Sequence, residues 1–156
     1  MRHSILTLAV LVGMLSPSAE ASDLFTSPLR GNIANQVIAG FPSSVVTWDI
    51  ARGSVSIVPL GGDLFAVKVR TKALIIPALG FNPSPDLLAR IVCHDEAGTP
   101  SEAARTRAVP FPQSGDAKLI DVVSLADNCF APIVLLTGSL DPQGESPGKF
   151  FAVTGF

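Results

Sequence analysis

The chain has 156 residues, of which 15% are charged, and its formal net charge is −2 at pH 7. A chain of this length corresponds to one domain. Because 11 Lys and Arg residues are outnumbered by 13 Asp and Glu residues, the chain lacks the cationic excess that drives nucleic-acid binding, and we expect no nucleic-acid partner.

The first 21 residues have the pattern of a secretory signal peptide. Met1-Arg2-His3 gives a positive start, residues 5–15 are apolar and uncharged, and Ala19-Glu20-Ala21 offers small residues before a cut at Ser22. The apolar run is shorter than the roughly 20 residues that cross a bilayer as a helix. We therefore expect a cleaved signal at 1–21 and no membrane span afterwards. The protein would be secreted, either extracellular or, in a host with an outer membrane, periplasmic.

Cys93 and Cys129 are the only cysteines in the sequence. Export places them in an oxidising compartment, where a pair of thiols normally bonds. We therefore predict a Cys93–Cys129 disulfide, which would stabilise the fold by about 4 kcal/mol through loop-closure entropy. The alternative is two free thiols, one of them a nucleophile.

Alternation of apolar and polar residues predicts strands along most of the chain. The clearest stretch is 65–72, in which apolar residues alternate with three cations. It follows the turn Gly61-Gly62-Asp63 and a second alternating stretch at 54–58, so we predict an antiparallel hairpin. Further strands are predicted at 45–50, 89–93, 105–109, 118–125, 130–137 and 149–154. The strand at 118–125 follows a turn predicted at Ser114-Gly115-Asp116.

Three features refine this pattern. Residues 130–137 are almost continuously apolar, which predicts a central strand covered on both faces. At 119–123 the alternation slips, so that Asp121 faces inward in one register and Ile120 outward, and we predict a β-bulge. The Pro-containing stretches 82–85 and 141–148 are predicted to be loops.

These elements predict an all-β fold with short strands separated by Gly, Pro, Asn and Asp. We expect a single antiparallel β-sandwich, Ig-like in the loose sense of two packed sheets, with seven to nine short strands and one disulfide. The sandwich would occupy residues 41–156. Residues 22–40 would form a partly irregular N-terminal arm between it and the signal peptide.

A set of short motifs extends over most of the chain from Gly40 onward. The motifs are Trp48, Asn82-Pro83-Ser84-Pro85, Val92-Cys93, Pro110-Phe111, Gly115-Asp116-Ala117, Cys129-Phe130-Ala131-Pro132-Ile133-Val134 and Phe151-Ala152-Val153-Thr154-Gly155. In these motifs the chain resembles a group of uncharacterised small secreted bacterial β-sandwich proteins. The resemblance implies a shared fold and secretion, and it implies no activity.

The sequence offers no catalytic constellation. His94 is the only histidine after the signal, and it adjoins Cys93 and Asp95. Adjacent strand residues point to opposite faces, so Cys93 and His94 would not converge. A serine triad requires a nucleophile on a tight turn, and no G-x-S-x-G sequence is present. We therefore expect His94 at the exposed end of a strand and no catalytic residue.

The sequence also indicates no metal ion or cofactor. Zinc sites use Cys and His ligands at characteristic spacings, and one histidine beside a bonded cysteine pair does not supply them. Calcium needs six to eight oxygen ligands, and the acidic pairs lack the spacing of an EF-hand loop. We interpret these pairs as solvated turn carboxylates, with a loop calcium site as the alternative: Asp95 with Glu96, Asp116 with Asp121, and Asp141 with Glu145.

Carbohydrate binding would require exposed flat aromatic side chains. Tyr is absent and Trp48 is the one tryptophan. Because large aromatics are usually buried, we predict that Phe65, Phe130 and Phe151 lie in the core. Five further phenylalanines lie near loops or ends and are predicted to cap that core: Phe25, Phe41, Phe81, Phe111 and Phe156.

The sequence does not identify a function. Our preferred hypothesis is a non-catalytic secreted domain, structural or for interaction, with an unknown protein or glycan partner. The first alternative is a small extracellular binding module for a glycan or another ligand. The second is a hydrolase-type enzyme that uses His94.

Overall fold

The computed structural model describes residues 25–126, 129–139 and 147–154. The predicted signal peptide, most of the predicted 141–148 loop, and Phe156 lie outside these ranges. Within them the chain forms strands joined by turns and loops. The strands in chain order are β1 (Phe25–Gly31), β2 (Val37–Ile38), β3 (Phe41–Pro42), β4 (Asp49–Gly61), β5 (Leu64–Ile75), β6 (Asp86–His94), β7 (Pro100–Arg105), β8 (Val109–Pro110), β9 (Ala117–Ser124), β10 (Phe130–Ser139) and β11 (Pro147–Thr154).

Nine strands form one antiparallel sheet that curls until it is nearly closed into a barrel. The order is β7-β6-β10-β11-β1-β4-β5-β9, with β8 pairing to β6. Strand β1 turns the corner, because residues 25–28 pair with β4 and residues 29–31 pair with β11. The prediction of an all-β antiparallel fold is confirmed. The predicted sandwich of two sheets is wrong in its finer part, since the sheets share β1 and the fold is barrel-like.

The prediction of an irregular arm at 22–40 missed this corner strand. Residues 25–31 of that segment are β1, and only the connection after it, followed by the short hairpin of β2 and β3, departs from the main sheet. The alternation in β1 is short and contains Pro28, which hid it from pattern analysis. Leu29 is buried in the core and anchors the strand.

The predicted hairpin at 54–58 and 65–72 is confirmed. Strands β4 and β5 pair in register from Asp49↔Ile75 to Gly61↔Leu64, with an irregularity beside the turn. Gly61 and Gly62 both have positive φ, which glycine adopts without steric strain. At 13 and 12 residues these strands are longer than the short strands we expected, and they are the longest strands of the described sheet.

The interior of the barrel is filled by the inward side chains of all the long strands. Val55, Ile57 and Val67 are almost fully buried, as the alternation predicted. Trp48 stacks on Phe151 with ring centroids 4.5 Å apart, and Phe111 stacks on the same Phe151 ring with centroids 5.9 Å apart. Offset stacking at such distances adds about 0.5–1.5 kcal/mol per pair beyond the area buried. These aromatics form part of the single main core.

A second, smaller core lies on the outer side of β6, β10 and β11, where the β2–β3 hairpin covers them. Ile38 of the hairpin packs with Leu135 and Phe150, while the neighbouring Val134 and Leu136 face the main core. Strand β10 is therefore covered on both faces, as its continuous apolar run predicted. The Arg90 guanidinium lies over the Phe41 ring, 4.4 Å from its centroid. This cation–π contact joins β6 to β3 of the hairpin.

Two predicted strands differ in their limits. The stretch predicted at 45–50 is mostly loop, and β4 begins only at Asp49. Asn32 organises that loop, because its side-chain amide donates to the Val46 carbonyl at 3.2 Å and its Oδ1 accepts from the Trp48 backbone N–H at 3.2 Å. The strand predicted at 105–109 is divided into β7, which ends at Arg105, and β8, which begins at Val109.

The predicted β-bulge at 119–123 is wrong. Strand β9 pairs with β5 without a register shift from Leu64↔Ser124 to Thr71↔Ala117. Asp121 takes the inward position and Ile120 the outward one, so the register that looked unfavourable in the sequence is the real one. An inward carboxylate is tolerated here because Asp121 lies at the gap between the edge strands β9 and β7, where a partner is available.

That partner is Arg107, in the connection between β7 and β8. The Asp121 carboxylate accepts from the Arg107 backbone N–H at 2.7 Å and from its Nη2 at 2.8 Å. Burial by itself raises the pKa of the Asp121 carboxyl, but the hydrogen bonds from Arg107 outweigh it, so this pKa lies below its usual value. The contact joins the two edges of the barrel through side chains instead of a backbone ladder.

The predicted disulfide is confirmed, and it leads to a first prediction. Cys93 at the end of β6 is bonded to Cys129 just before β10, with Cα atoms 4.9 Å apart and a separation of 36 residues. We expect Cys93→Ser with Cys129→Ser to lower the free energy of unfolding by about 4 kcal/mol, because the unfolded chain regains loop entropy. Denaturant unfolding measures the loss. Reaction of the unreduced wild type with a thiol reagent would contradict the bond.

A second prediction concerns pH. Because the pKa of Asp121 is lower in the folded state than in the unfolded state, its carboxylate stabilises the fold above the unfolded pKa. That stabilisation is lost as the pH falls through the folded pKa. We expect Asp121→Asn to lower the free energy of unfolding at neutral pH, and the two stability curves to converge in acid. Denaturant unfolding at a series of pH values measures this. The exposed Glu96→Gln is the matched control and should leave the curve unchanged.

Candidate functional site

The outer face of β4, β5 and β9 gathers cations from three strands. Arg52 lies opposite Lys72, Arg70 lies opposite Lys118, and Lys68 lies one step along β5 on the same side. All five side chains are exposed. We call this surface the basic face: Arg52, Lys68, Arg70, Lys72 and Lys118.

The basic face contains two like-charge pairs in direct cross-strand register. Directly opposed residues of an antiparallel pair have Cβ atoms about 5 Å apart, and like charges placed there are destabilising. Arg52–Lys72 and Arg70–Lys118 both have this arrangement. Because directly opposed like charges do not favour folding by themselves, the basic face is the candidate surface for binding anions.

One of these cations has a carboxylate partner within the protein. Asp116 receives hydrogen bonds from the Lys72 ammonium and, at 2.9 Å, from the Ala73 backbone N–H. The hydrogen bond from Lys72, with that from Ala73, holds the pKa of Asp116 below its usual value. Among the described residues, Arg52, Lys68, Arg70 and Lys118 form no ion pair.

The turn before β9 positions Asp116 for this contact. Gly115 has a φ of 71°, and a side chain there would run into the backbone of Leu74. The Gly115 carbonyl accepts from the Leu74 N–H at 3.1 Å and from the Thr71 hydroxyl at 2.9 Å. The turn Ser114-Gly115-Asp116, predicted from the sequence, therefore closes one end of the basic face and leaves the rest open.

Two open grooves follow the pleats of this face and share Arg70. The larger has a volume of about 450 Å³ and lies between Arg52, Ser54 and Lys72. The smaller, of about 170 Å³, lies between Lys68 and Lys118. Both are shallow, so they suit anionic groups on a larger partner better than an enclosed small molecule.

The same outer face continues into exposed aliphatic side chains. Ile120 lies opposite Lys68, and Val122 lies opposite Ala66 on the neighbouring row. Ile120 is 53% exposed, Val122 51% and Leu64 45%. We call Leu64, Ile120 and Val122 the apolar rim. Cations and aliphatic groups thus share one continuous surface.

His94 does not assemble a catalytic group. It ends β6 as predicted, but its side chain is half-buried and its Nδ1 has no hydrogen-bond partner within the described structure. The Asp95 carboxylate instead accepts the backbone N–H groups of Ala97 and Thr99 and forms the following turn. Cys93 is bonded to Cys129 and offers no thiol.

In the proposed acidic pair of Asp116 and Asp121, each carboxylate binds a different cation. Asp116 binds Lys72 and Asp121 binds Arg107, so these two carboxylates do not share a site. No group of three or more His, Cys, Asp or Glu side chains suited to a metal ion occurs in the ranges that the structure describes. Asp141 and Glu145 lie outside those ranges. None of the described segments forms a helix with the length and apolar character of a membrane span.

The aromatic side chains mostly face the core. Trp48 and Phe111 are buried, and Phe65 packs against the core as predicted. The prediction for Phe130 is wrong, because its side chain is 52% exposed at the start of β10 beside His94. Phe81, predicted to cap the core, is also exposed, but it lies in the distant turn between β5 and β6. These two rings lie on separate elements and do not form a flat aromatic platform.

Sequence analysis missed the basic face. The three alternating cations of 65–72 were visible, but their meeting with Arg52 and Lys118 depends on strand register. The overall charge of −2 also hid a local excess of positive charge. Comparison of this chain with protein-family models, with curated proteins and with solved structures found no match.

A third prediction tests the burial of the single tryptophan. Trp48 is 5% exposed and stacked on Phe151, so its fluorescence should be emitted at short wavelength and resist quenching by acrylamide. Neutral polysaccharide should leave the spectrum unchanged. Trp48→Phe keeps an aromatic stack and serves as the blank. A shift of the wild-type spectrum on adding a neutral glycan would contradict this assignment.

Proposed function

We propose that this protein is a secreted, non-catalytic interaction domain that binds anionic groups of its partner through the basic face. The observation that carries the proposal is the directly opposed pair Arg70–Lys118, which has no carboxylate partner among the described residues. An anion between the two cations removes their repulsion and makes charge-assisted hydrogen bonds with both. The binding free energy then includes the relief of the charge repulsion between Arg70 and Lys118 in the unliganded protein.

The arrangement favours a partner with many anionic groups. The cations lie in successive rows across three strands, so neighbouring phosphates, sulfates or carboxylates are each within reach of one side chain. Exposed pairs of this kind are individually weak, typically below about 1 kcal/mol, and useful affinity comes from several acting together. Such binding is strongly weakened by salt.

Export and the lack of catalysis belong to the same proposal. The signal-peptide pattern at 1–21 and the resemblance to a group of small secreted bacterial proteins support export, and the Cys93–Cys129 bond suits an oxidising compartment. The basic face contains no thiol, histidine or activated hydroxyl, which supports a binding role. A hydrolase using His94 is less well supported, because Asp95 is engaged by its own turn.

A neutral-glycan module is also less well supported, because the aromatic rings that would stack on sugar are mostly buried. An acidic glycan remains compatible with the basic face, since cations rather than aromatic rings would bind it. The decisive quantity is therefore the dependence of binding on charge, which a sulfated and an unsulfated form of one polymer separate.

A fourth prediction tests this function. We expect the protein to bind dextran sulfate and not neutral dextran, with the logarithm of the binding constant falling linearly as the logarithm of salt rises. Arg70→Gln with Lys118→Gln removes two of the four unpaired cations while keeping long side chains. The salt slope should fall to about half, because fewer counterions are released. Isothermal titration at several salt concentrations measures it.

The control variant is Arg30→Gln with Lys149→Gln, which removes two exposed cations that lie on β1 and β11, outside the basic face. It should bind dextran sulfate with the same slope as the wild type. Equal losses in the two variants would show that only net charge matters, and the basic face would then have no specific role.

A further inference from the structure

We infer that the anionic partner of the basic face is a phospholipid surface, an inference that rests on the proposed function and names its ligand class. The observation behind it is the continuity between the basic face and the apolar rim. Ile120 lies directly opposite Lys68, so an aliphatic and a cationic side chain stand next to each other on the outer face. A ligand that covers one of them also reaches the other.

The apolar rim distinguishes between two classes of anionic ligand, a lipid surface and a soluble polyanion. A sulfated or carboxylated polymer binds the cations but leaves Ile120 and Val122 in water. A bilayer interface contacts both the cations and the aliphatic side chains. The lipid phosphates lie at the level of the ammonium and guanidinium groups, and short aliphatic side chains enter the region just beneath them. The long stems of Lys68 and Arg70 allow their charged ends to stay at the phosphate level.

The shape of the surface favours lipid over a folded protein partner. The outside of a nearly closed barrel is convex, and the basic face and apolar rim contain no aromatic side chain. Stable protein interfaces concentrate their affinity in pockets that bury Trp, Tyr or Arg anchors, and the grooves here are shallow. A fluid lipid surface adapts to a convex face and needs no matching pocket.

The position of β9 allows such an approach. Strand β9 is an edge strand of the barrel and carries Lys118, Ile120 and Val122 on its outer side. The β2–β3 hairpin lies on the opposite part of the barrel, over β6, β10 and β11. The outward side chains Lys118, Ile120 and Val122 are all exposed in the described structure, and the protein would rest on the bilayer through β5 and β9.

The test is cosedimentation with sucrose-loaded vesicles. Vesicles of equimolar phosphatidylcholine and phosphatidylglycerol are compared with vesicles of phosphatidylcholine alone. The protein is recovered after export and its amino terminus is checked by mass spectrometry, because uncleaved residues 5–15 would bind lipid by themselves. We expect binding to the anionic vesicles only, weakened by salt.

Two pairs of substitutions assign the contributions. Arg70→Gln with Lys118→Gln should lower the partition coefficient about 25-fold, since each cation near an anionic surface contributes about fivefold. Ile120→Thr with Val122→Thr keeps β-branched side chains in the strand but removes aliphatic area that the bilayer would bury. This double substitution should lower the partition coefficient about tenfold. Lys68→Gln alone, expected to lower it about fivefold, is the fallback should the double charge variant fail to fold.

The controls match each pair in chemistry and exposure. Arg30→Gln with Lys149→Gln removes two cations elsewhere, and Val37→Thr with Leu79→Thr changes two aliphatic residues that are 65% and 51% exposed outside the apolar rim. Both control variants should bind vesicles as the wild type does. Circular dichroism melts establish that each variant is folded.

The outcomes distinguish this inference from the proposed function. If dextran sulfate binds through the basic face but anionic vesicles do not bind, or bind equally well after Ile120→Thr with Val122→Thr, the lipid inference is overturned and the proposed function stands. The partner would then be a soluble polyanion or an acidic protein. If neither probe responds to Arg70→Gln with Lys118→Gln, both are overturned.

Discussion

The structure depends on the backbone ladder that β1 completes. This strand pairs through its first four residues with β4 and through its last three with β11, so it joins the long β4–β5 hairpin to β11, which in turn pairs with β10. A strand shared in this way forces the sheet to curl, and the curl encloses the main core. It also turns the outer side of β4, β5 and β9 toward solvent. The position of the basic face is thus a consequence of the same ladder that makes the fold nearly closed.

A sheet that closes incompletely leaves two edges, and exposed edges invite pairing with other chains. Here the edge strand β9 carries an inward carboxylate, Asp121, and that carboxylate is held by Arg107 from the connection after β7. Inward charges on edge strands are a known protection against strand addition. The contact therefore has two effects, since it joins the edges of the barrel and makes the β9 edge unsuitable for another strand. On the outer side of β9, Lys118, Ile120 and Val122 stay exposed in the described structure.

Local patterns predicted the parts of this fold that depend on nearby residues. The hairpin of β4 and β5, the doubly covered β10 and the Ser114–Asp116 turn all follow from alternation, apolar runs and glycine. The disulfide followed from the signal-peptide pattern and the count of cysteines. The role of β1 escaped because a strand with two different neighbours has no distinctive local pattern. The slip at Asp121 was interpreted as a bulge because its partner, Arg107, is identified only by how the barrel closes. The basic face escaped for a related reason, since cross-strand register decides which cations meet.

On the basic face, the residues present are not those that would best stabilise the strands. Strand positions on the solvent side of β5 and β9 accept Thr, Ser or alternating charges without loss, and opposite charges across the strands would add about 0.2–1 kcal/mol per pair. The sequence instead places Arg70 against Lys118 and Arg52 against Lys72, and it places Ile120 beside them in water. Lys72 is compensated by Asp116, but the Arg70–Lys118 pair and the exposed Ile120 are both unfavourable for the isolated domain. Both become favourable together on a surface that is anionic at one depth and apolar just below it, because one contact then removes the repulsion and buries the aliphatic groups.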